Sequence, residues 1–577
     1  MRPFAVLVLA TLAAAPAAAQ TIYPLDRAEI LAGSRFDLKV EFPGAPTAGE
    51  VKVTVNGQDP TVMAGRAAEF IEHEDGQDYS AYVLRDVVMQ GAGPVVVEAS
   101  QGGHTARVKW DVFAAKGPKV ARNVVLFIGD GLSIAHRTAA RIMSKGMVEG
   151  RYGGELAIDD MPHMALISTS GTDSVVTDSA NSMSAYTTGH KSCVNALGVY
   201  CARNKNSLQH PKVETLGEIA HRKGLAVGVV TNTEIEDATP AGMVAHTRRR
   251  ADFNDIVRMF WDVKPEVIMG GGSPNFLAKS TPGSRRPDEV DYIKRFEEAG
   301  WTFAATDAEM KAAAADPKAT RLLGLFNTSN IDGALDRRQL RKGTVGRFPE
   351  QPDLADQVRV SLELLQRNPN GFMLMVESGR IDKYSHSLDP ERAIFDTIML
   401  DNAVRVAKEW AEARGDTMVV VVADHAHMVG LIGTYDDARP GTTPREKLGT
   451  YAEAGFPNYP KADAEGYPPT VDVSRRLALS FGTYPDHCFN AKPYLDGEFA
   501  PVVPGQQPGT FMANAAYCDR PGAVRITGNL PADANSGVHA ADDVLLTAIG
   551  PGAAQFHGRL DNTRVFRAIA NALALGD

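Results

Sequence analysis

Apolar and polar positions alternate in two textures along the chain. From Thr21 to about Ala115 the runs are short, as at 36–42, 51–55 and 95–99, and Gly, Pro, Asn and Asp punctuate the gaps. Alternation with a period of two predicts half-buried strands, and a series of short ones predicts a β-sandwich of Ig-like type over residues 20–117. This segment has no histidine cluster, no cysteine and no carboxylates paired at ligand spacing. A packing or positioning role is expected for it, with a binding module for a cell-surface or carbohydrate partner as the rival.

After Lys116-Gly117-Pro118, strand-length apolar runs alternate with helix-length amphipathic ones. That rhythm predicts an α/β fold over 118–577, a mostly parallel central sheet flanked by helices. Strands are expected at 124–128, 165–169, 226–230, 267–269, 372–376, 418–422 and 544–549. Helices are expected over about 212–223 and 390–413, the second opening on Asp389 as N-cap with Pro390 at the first helical position. Between about 429 and 536 the rhythm is lost and Gly, Pro and Tyr are frequent. An irregular insertion is expected there.

At the start of the chain, Arg2 precedes an apolar stretch over 4–12 and the small residues Ala17, Ala18 and Ala19, the pattern of an export leader over 1–19. The stretch falls short of the roughly 20 residues that span a bilayer, and later apolar runs are strand-length, so no membrane span is expected. Four cysteines fall into two local pairs, and an exported chain matures where disulfides persist. Bridges Cys193–Cys201 and Cys488–Cys518 and a periplasmic or secreted location are the expectations. The 577 residues are 44% hydrophobic and 23% charged, with a net charge of -10. Disorder is excluded as the default, and there is no basic excess to bind nucleic acid or an anionic membrane.

In open α/β sheets ligands bind beyond the carboxyl ends of the strands, so the ionisable residues there matter most. Asp130 follows the run 123–129, Glu377 follows 372–376, and Asp424 and His425 follow 419–423. Any one of them could be a helix cap or turn former. Asp382 and His386, four apart, share one face of a helical turn within reach of a single metal. His539 stands alone in Ser-Gly-Val-His-Ala, where a histidine is as readily structural. Together these oxygen and nitrogen donors, with no thiolate, fit zinc beside a harder ion such as magnesium.

A helix starting near Ser179, in Thr-Asp-Ser-Ala-Asn-Ser, would aim its amides at an anion beside that hydroxyl; a plain N-cap serine is the competing reading. No Gly-x-Ser-x-Gly elbow surrounds it, so activation by a metal is expected rather than by a triad. Asp237-Ala-Thr239-Pro-Ala leads into Arg248-Arg249-Arg250, which offers either a phosphoryl clamp or a solvated basic turn.

The ordered set Ile-Gly-Asp130-Gly, Thr-Asp178-Ser179-Ala, Asp237-Ala-Thr239-Pro-Ala, Val-Glu377-Ser-Gly-Arg-Ile-Asp382-Lys383-x-x-His386, Ala-Asp424-His425-Ala-His and His539-Ala-x-Asp-Asp resembles the alkaline phosphatases. The resemblance implies metal-dependent hydrolysis of phosphate monoesters, with Ser179 as the nucleophile that becomes phosphorylated. It implies two zinc ions, one held by Asp382, His386 and His539 and the other by Asp130, Asp424 and His425. A magnesium ion would be shared by Asp130, Thr239 and Glu377. Counting from the Asp237 motif, the phosphate-binding arginine falls on Arg250, with Arg248 and Arg249 as near alternatives. Asp237 and Lys383 mark the bacterial type and would contact phosphate and the magnesium shell through water.

The sandwich is absent from the best-known members, and the insertion after His427 matches nothing in the family pattern. Monomer and dimer both remain open. A phosphodiesterase or sulfatase on the same fold is the alternative. Ser179-Ala-Asn-Ser-Met183 lacks the Cys/Ser-x-Pro-x-Arg context of a sulfatase, and Arg250 favours monoesters. A silent phosphate-binding scaffold would be expected to lack a ligand or the nucleophile. Broad specificity is expected, because the matched residues grip only the phosphoryl group.

Overall fold

Uninterrupted apolar runs make strands that can only be buried on both faces, and these runs form the middle of the central sheet in the computed structural model. The structure describes residues 20–115 and 117–577. The expected leader at 1–19 lies outside the described residues. Ten strands form the sheet, ordered Thr302–Ala304, Leu322–Leu325, Val267–Gly271, Ala226–Glu234, Phe372–Ser378, Asn123–Gly129, Thr417–Val422, Val544–Ile549, His163–Ser168 and Arg559–Asp561. Neighbours are parallel except along Val544–Ile549, which runs antiparallel to both of its partners. All seven expected strands are present, and the short ones at 302–304, 322–325 and 559–561 are additions. Val124 to Ile128, Phe372 to Val376 and Met418 to Val422 are fully buried, as their sequences require.

The helix Pro390–Arg414 begins as expected, with the Asp389 carboxylate accepting from the Arg392 amide. The helix expected over 212–223 is shorter, Leu216–Arg222. Thr215 and Glu218 form a capping box that starts it late. Lys212 and Val213 are extended instead, bridged to Val199 and Phe36.

Residues 21–113 build two four-stranded sheets that contribute to one apolar cluster, with Phe36 edge-on to Trp110 at 5.6 Å. Tyr200 and Val213, from the α/β part, belong to the same cluster. The insertion is more regular than expected. Val429–Asp436 pairs with Arg475–Phe481 and Leu448–Gly449, and two further strand pairs follow. Non-local pairing supplied the order there, which local periodicity does not register. Both expected disulfides, Cys193–Cys201 and Cys488–Cys518, are formed. Among the described residues no helix is long and apolar enough to cross a membrane.

Candidate active site

Parallel strands end together, and their carboxyl ends bring distant acids into one place. Asp130 follows Asn123–Gly129, Glu377 is the penultimate residue of Phe372–Ser378, and Asp424 and His425 follow Thr417–Val422. The helix Arg380–His386 starts directly beyond Phe372–Ser378 and carries Asp382 and His386 one turn apart. His539 enters through a two-residue pairing of Ala426–His427 with His539–Ala540, which sets His427 opposite His539. Gly131 makes this convergence possible. At its φ of 66°, a Cβ would lie 2.6 Å from the His427 ring and 3.1 Å from the Asp382 Cα.

Two donor clusters result. Asp382 Oδ1 lies 3.3 Å from His386 Nε2 and 3.4 Å from His539 Nε2, and the two histidine Nε2 atoms are 3.0 Å apart. His386 Nδ1 pairs with the Gly537 carbonyl at 2.6 Å and His539 Nδ1 with the Thr177 carbonyl at 2.8 Å. A carbonyl can only accept, so each Nδ1 is the protonated nitrogen and each Nε2 turns a lone pair inward. In the second cluster His425 Nε2 lies 3.2 Å from Asp130 Oδ1 and 3.3 Å from Asp424 Oδ2. Asp130 Oδ2 is 3.5 Å from Thr239 Oγ1, and Glu377 accepts from the Thr233 hydroxyl at 2.9 Å and from Thr231.

The electrostatics of these clusters call for cations. Burial, then the Asp382 charge, pushes the Asp130 carboxyl up to about 7; burial, then Asp130, pushes Glu377 up to about 8. Asp424 is also raised, by burial and by its acidic neighbours. Burial acts upward on Asp382 too, but His386 and His427 outweigh it and hold that carboxyl low. Asp130 Oδ1 and Asp424 Oδ2 make no hydrogen bond among the described residues. Buried acids of like charge with free oxygens, interleaved with imidazole lone pairs, fit divalent metals, and without thiolate they fit zinc and magnesium.

The helix Ser179–Thr188 starts on Ser179, capped by Asp178 through the Asn181 amide at 3.1 Å. Ser179 is therefore the first helical residue and not the cap. Its Oγ lies 3.3 Å from His425 Nε2 and 3.5 Å from Asp130 Oδ2, against the second cluster. Beside it, Arg250 pairs with Asp237 at 2.7 Å and Asp178 at 3.4 Å, and Lys383 pairs with Asp237 at 2.7 Å. Burial alone would raise the Asp237 carboxyl; Lys383 and Arg250 outweigh it and hold the group well below the carboxylate range. Arg248 donates to the Val194 carbonyl and Arg249 to Asp252, so Arg250 is the arginine of the three that faces the serine's cap.

All twelve expected site residues thus converge on one region. Two contributors went unassigned in the sequence. His427 Nε2 sits 2.5 Å from Asp382 Oδ1 and orients that carboxylate; its signal was its place two residues after His425. Asp178 both caps the helix and holds Arg250, and its signal was the Asp178-x-x-Asn181 capping spacing.

The family model described as alkaline phosphatase matches residues 121–575. Alkaline phosphatase H of Pseudomonas aeruginosa is 32% identical over 387 residues, which span 60% of this chain and 78% of that protein. The alkaline phosphatase of Escherichia coli is 32% identical over 362 residues, 56% of this chain and 74% of that one. Among solved structures, Thermus thermophilus alkaline phosphatase matches with a TM-score of 0.56 and 24% identity, over 80% of this chain and 92% of its own.

Proposed function

Because the chain belongs to the alkaline phosphatase family, we propose that it hydrolyses phosphate monoesters to alcohol and inorganic phosphate, with Ser179 taking the phosphoryl group in between. The observation that carries this reading is the position of Ser179: 2% exposed, first in its helix, and flanked by His425, Asp130 and the Arg250 clamp.

Asp382, His386 and His539 would hold one zinc ion, Asp130, Asp424 and His425 a second, and Asp130, Thr239 and Glu377 a magnesium ion. Bound there, these cations would favour the alkoxide of Ser179 and neutralise charge on the attacking and leaving oxygens. The chain supplies the rest. The Ser179 oxygen attacks phosphorus as the ester oxygen leaves, and the helix amides behind it stabilise phosphoryl charge. The Arg250 guanidinium, preset by Asp178 and Asp237, faces two non-bridging oxygens. Asp237 orients it directly, with Lys383 on the other carboxylate oxygen, and both would reach the phosphate through water. Water then opens the phosphoserine, and two in-line displacements leave configuration at phosphorus retained.

A clamp that presents cations to the non-bridging oxygens favours a dianionic monoester over a diester or a sulfate ester. It grips nothing beyond the phosphoryl group, which supports broad specificity. Two disulfides and the expected leader support a periplasmic or secreted location. Hydrolysis of a chromogenic phosphate monoester, beside the matching diester and sulfate, tests the reading with and without chelator. Monoester turnover should dominate, vanish with chelator and return with zinc and magnesium; dominant diester or sulfate turnover would overturn it.

A further inference from the structure

The strand Arg35–Pro43 reads as half-exposed, with Phe36, Leu38, Val40 and Phe42 alternating with Asp37, Lys39 and Glu41. The apolar set lies in the core of the N-terminal segment, as expected. The charged set does not face water: Asp37, Lys39 and Glu41 are 3%, 1% and 3% exposed. Each bonds to the segment that follows Cys201. Asp37 accepts from the Lys212 amide at 3.0 Å, Lys39 Nζ donates to Asn204 Oδ1 at 2.7 Å, and Glu41 accepts from the Arg203 amide at 2.7 Å. Asn204 donates in turn to Glu74 at 2.8 Å, and the Tyr23 hydroxyl donates to the Cys201 carbonyl at 3.1 Å. Burying three charged side chains is costly unless every one is matched, so this sheet face is built for that segment.

The other end of the same segment reaches the phosphate clamp. Asn195 lies inside the ring closed by Cys193–Cys201, and its two peptide groups hold both halves of the clamp. Its amide donates to Asp178 Oδ2 at 3.1 Å, and its carbonyl accepts from the Arg250 amide at 2.8 Å. Leu197 and Thr247 exchange backbone hydrogen bonds of 2.8 and 2.9 Å beside it. The disulfide spans only eight positions, so it ties the inner contacts at Asn195 to the outer ones at Cys201 to Asn204.

We infer that the N-terminal segment positions the phosphate clamp, acting through Asn204 and the Cys193–Cys201 ring on Asp178 and Arg250. Asn204, Cys193 and Cys201 are positioning residues, since they act through Asp178 and Arg250. The inference rests on Arg250 gripping phosphate and extends it to the part of the chain that the family match does not reach.

The test measures the inhibition constant of inorganic phosphate, with KM and kcat, on the full chain, for Asn204→Ala and for the Cys193→Ser, Cys201→Ser double variant. An inhibition constant does not depend on how much of a sample is active, so loss of folded protein alone would lower apparent turnover and leave it unmoved. Both variants should raise that constant and KM by roughly 3-fold to 30-fold, with a smaller change in kcat. Arg250→Ala is the control. Unchanged phosphate inhibition in both loop variants, while Arg250→Ala weakens it, overturns this inference and leaves the clamp standing. Unchanged inhibition in Arg250→Ala as well overturns the clamp and this inference with it.

Discussion

Lys39, in the N-terminal segment, and Asp424, at the end of a central strand, are equally hidden from water but differently served. Lys39 reaches Glu74 at 2.7 Å, Asn204 at 2.7 Å and Glu41 at 3.4 Å, so its charge is fully matched. Asp424 accepts from the Gly131 and His425 amides through Oδ1, while Oδ2 makes no hydrogen bond among the described residues. Asp130 Oδ1 and His425 Nδ1 are in the same condition. A matched buried charge fixes how two parts of a chain meet. Unmatched ones packed together weaken the fold until a cation arrives, which is the cost of a site prepared for metal.

The largest effect is expected at the proposed nucleophile. Ser179→Ala should lower monoester turnover by about 10^3-fold or more while leaving bound metal unchanged, because Ser179 is in none of the three proposed metal-binding sets. Retained turnover at full metal content would contradict the assignment.

Stability should respond next, and oppositely in the two regions. Lys39→Met leaves Glu74 buried without its cation and Glu41 with only Arg203 at 3.8 Å, and urea unfolding should show a loss of about 3–5 kcal/mol. In chelator-treated protein, Asp424→Asn removes one of several repelling acids, and thermal unfolding should rise by about 2 °C. A fall in the second case would mean that the acids are balanced without metal.

The smaller effect is on pH. Burial pushes His190, bonded to the Tyr200 hydroxyl at 2.6 Å, down to about 3 from its ordinary 6.5. The unfolded chain takes up a proton below 6.5 that the folded chain refuses, so stability is lost as pH falls through that window. Between pH 7.5 and 5 the loss from this one group should be about 2 kcal/mol. Urea unfolding of His190→Gln should show a correspondingly shallower pH dependence than the unsubstituted chain, a difference in which the metal site cancels.

The central strands were legible because 124–128, 372–376 and 418–422 are apolar at every position, a pattern with few structural uses. The donors were legible because each stands directly beyond such a run. The strand 35–43 misled for the same reason that it could be found. Its alternation predicts one apolar and one polar face, and nothing local says that residues 201–212 will cover the polar one. The insertion hid its strands because Val429–Asp436 pairs with Arg475–Phe481, a partner some forty residues away.

By itself, the order of residues determined the α/β class, the strand-end donors and the capped helix at Ser179, which depend on neighbours a few positions apart, and the pairing of four cysteines that stand eight and thirty positions apart. The tertiary structure separated Arg250, on which the motif count already fell, from Arg248 and Arg249, and it alone decided that His427 orients Asp382 and that Asp37, Lys39 and Glu41 are buried. Those outcomes depend on which distant strands become neighbours. Chain packing sets that, and a local periodicity carries no record of it.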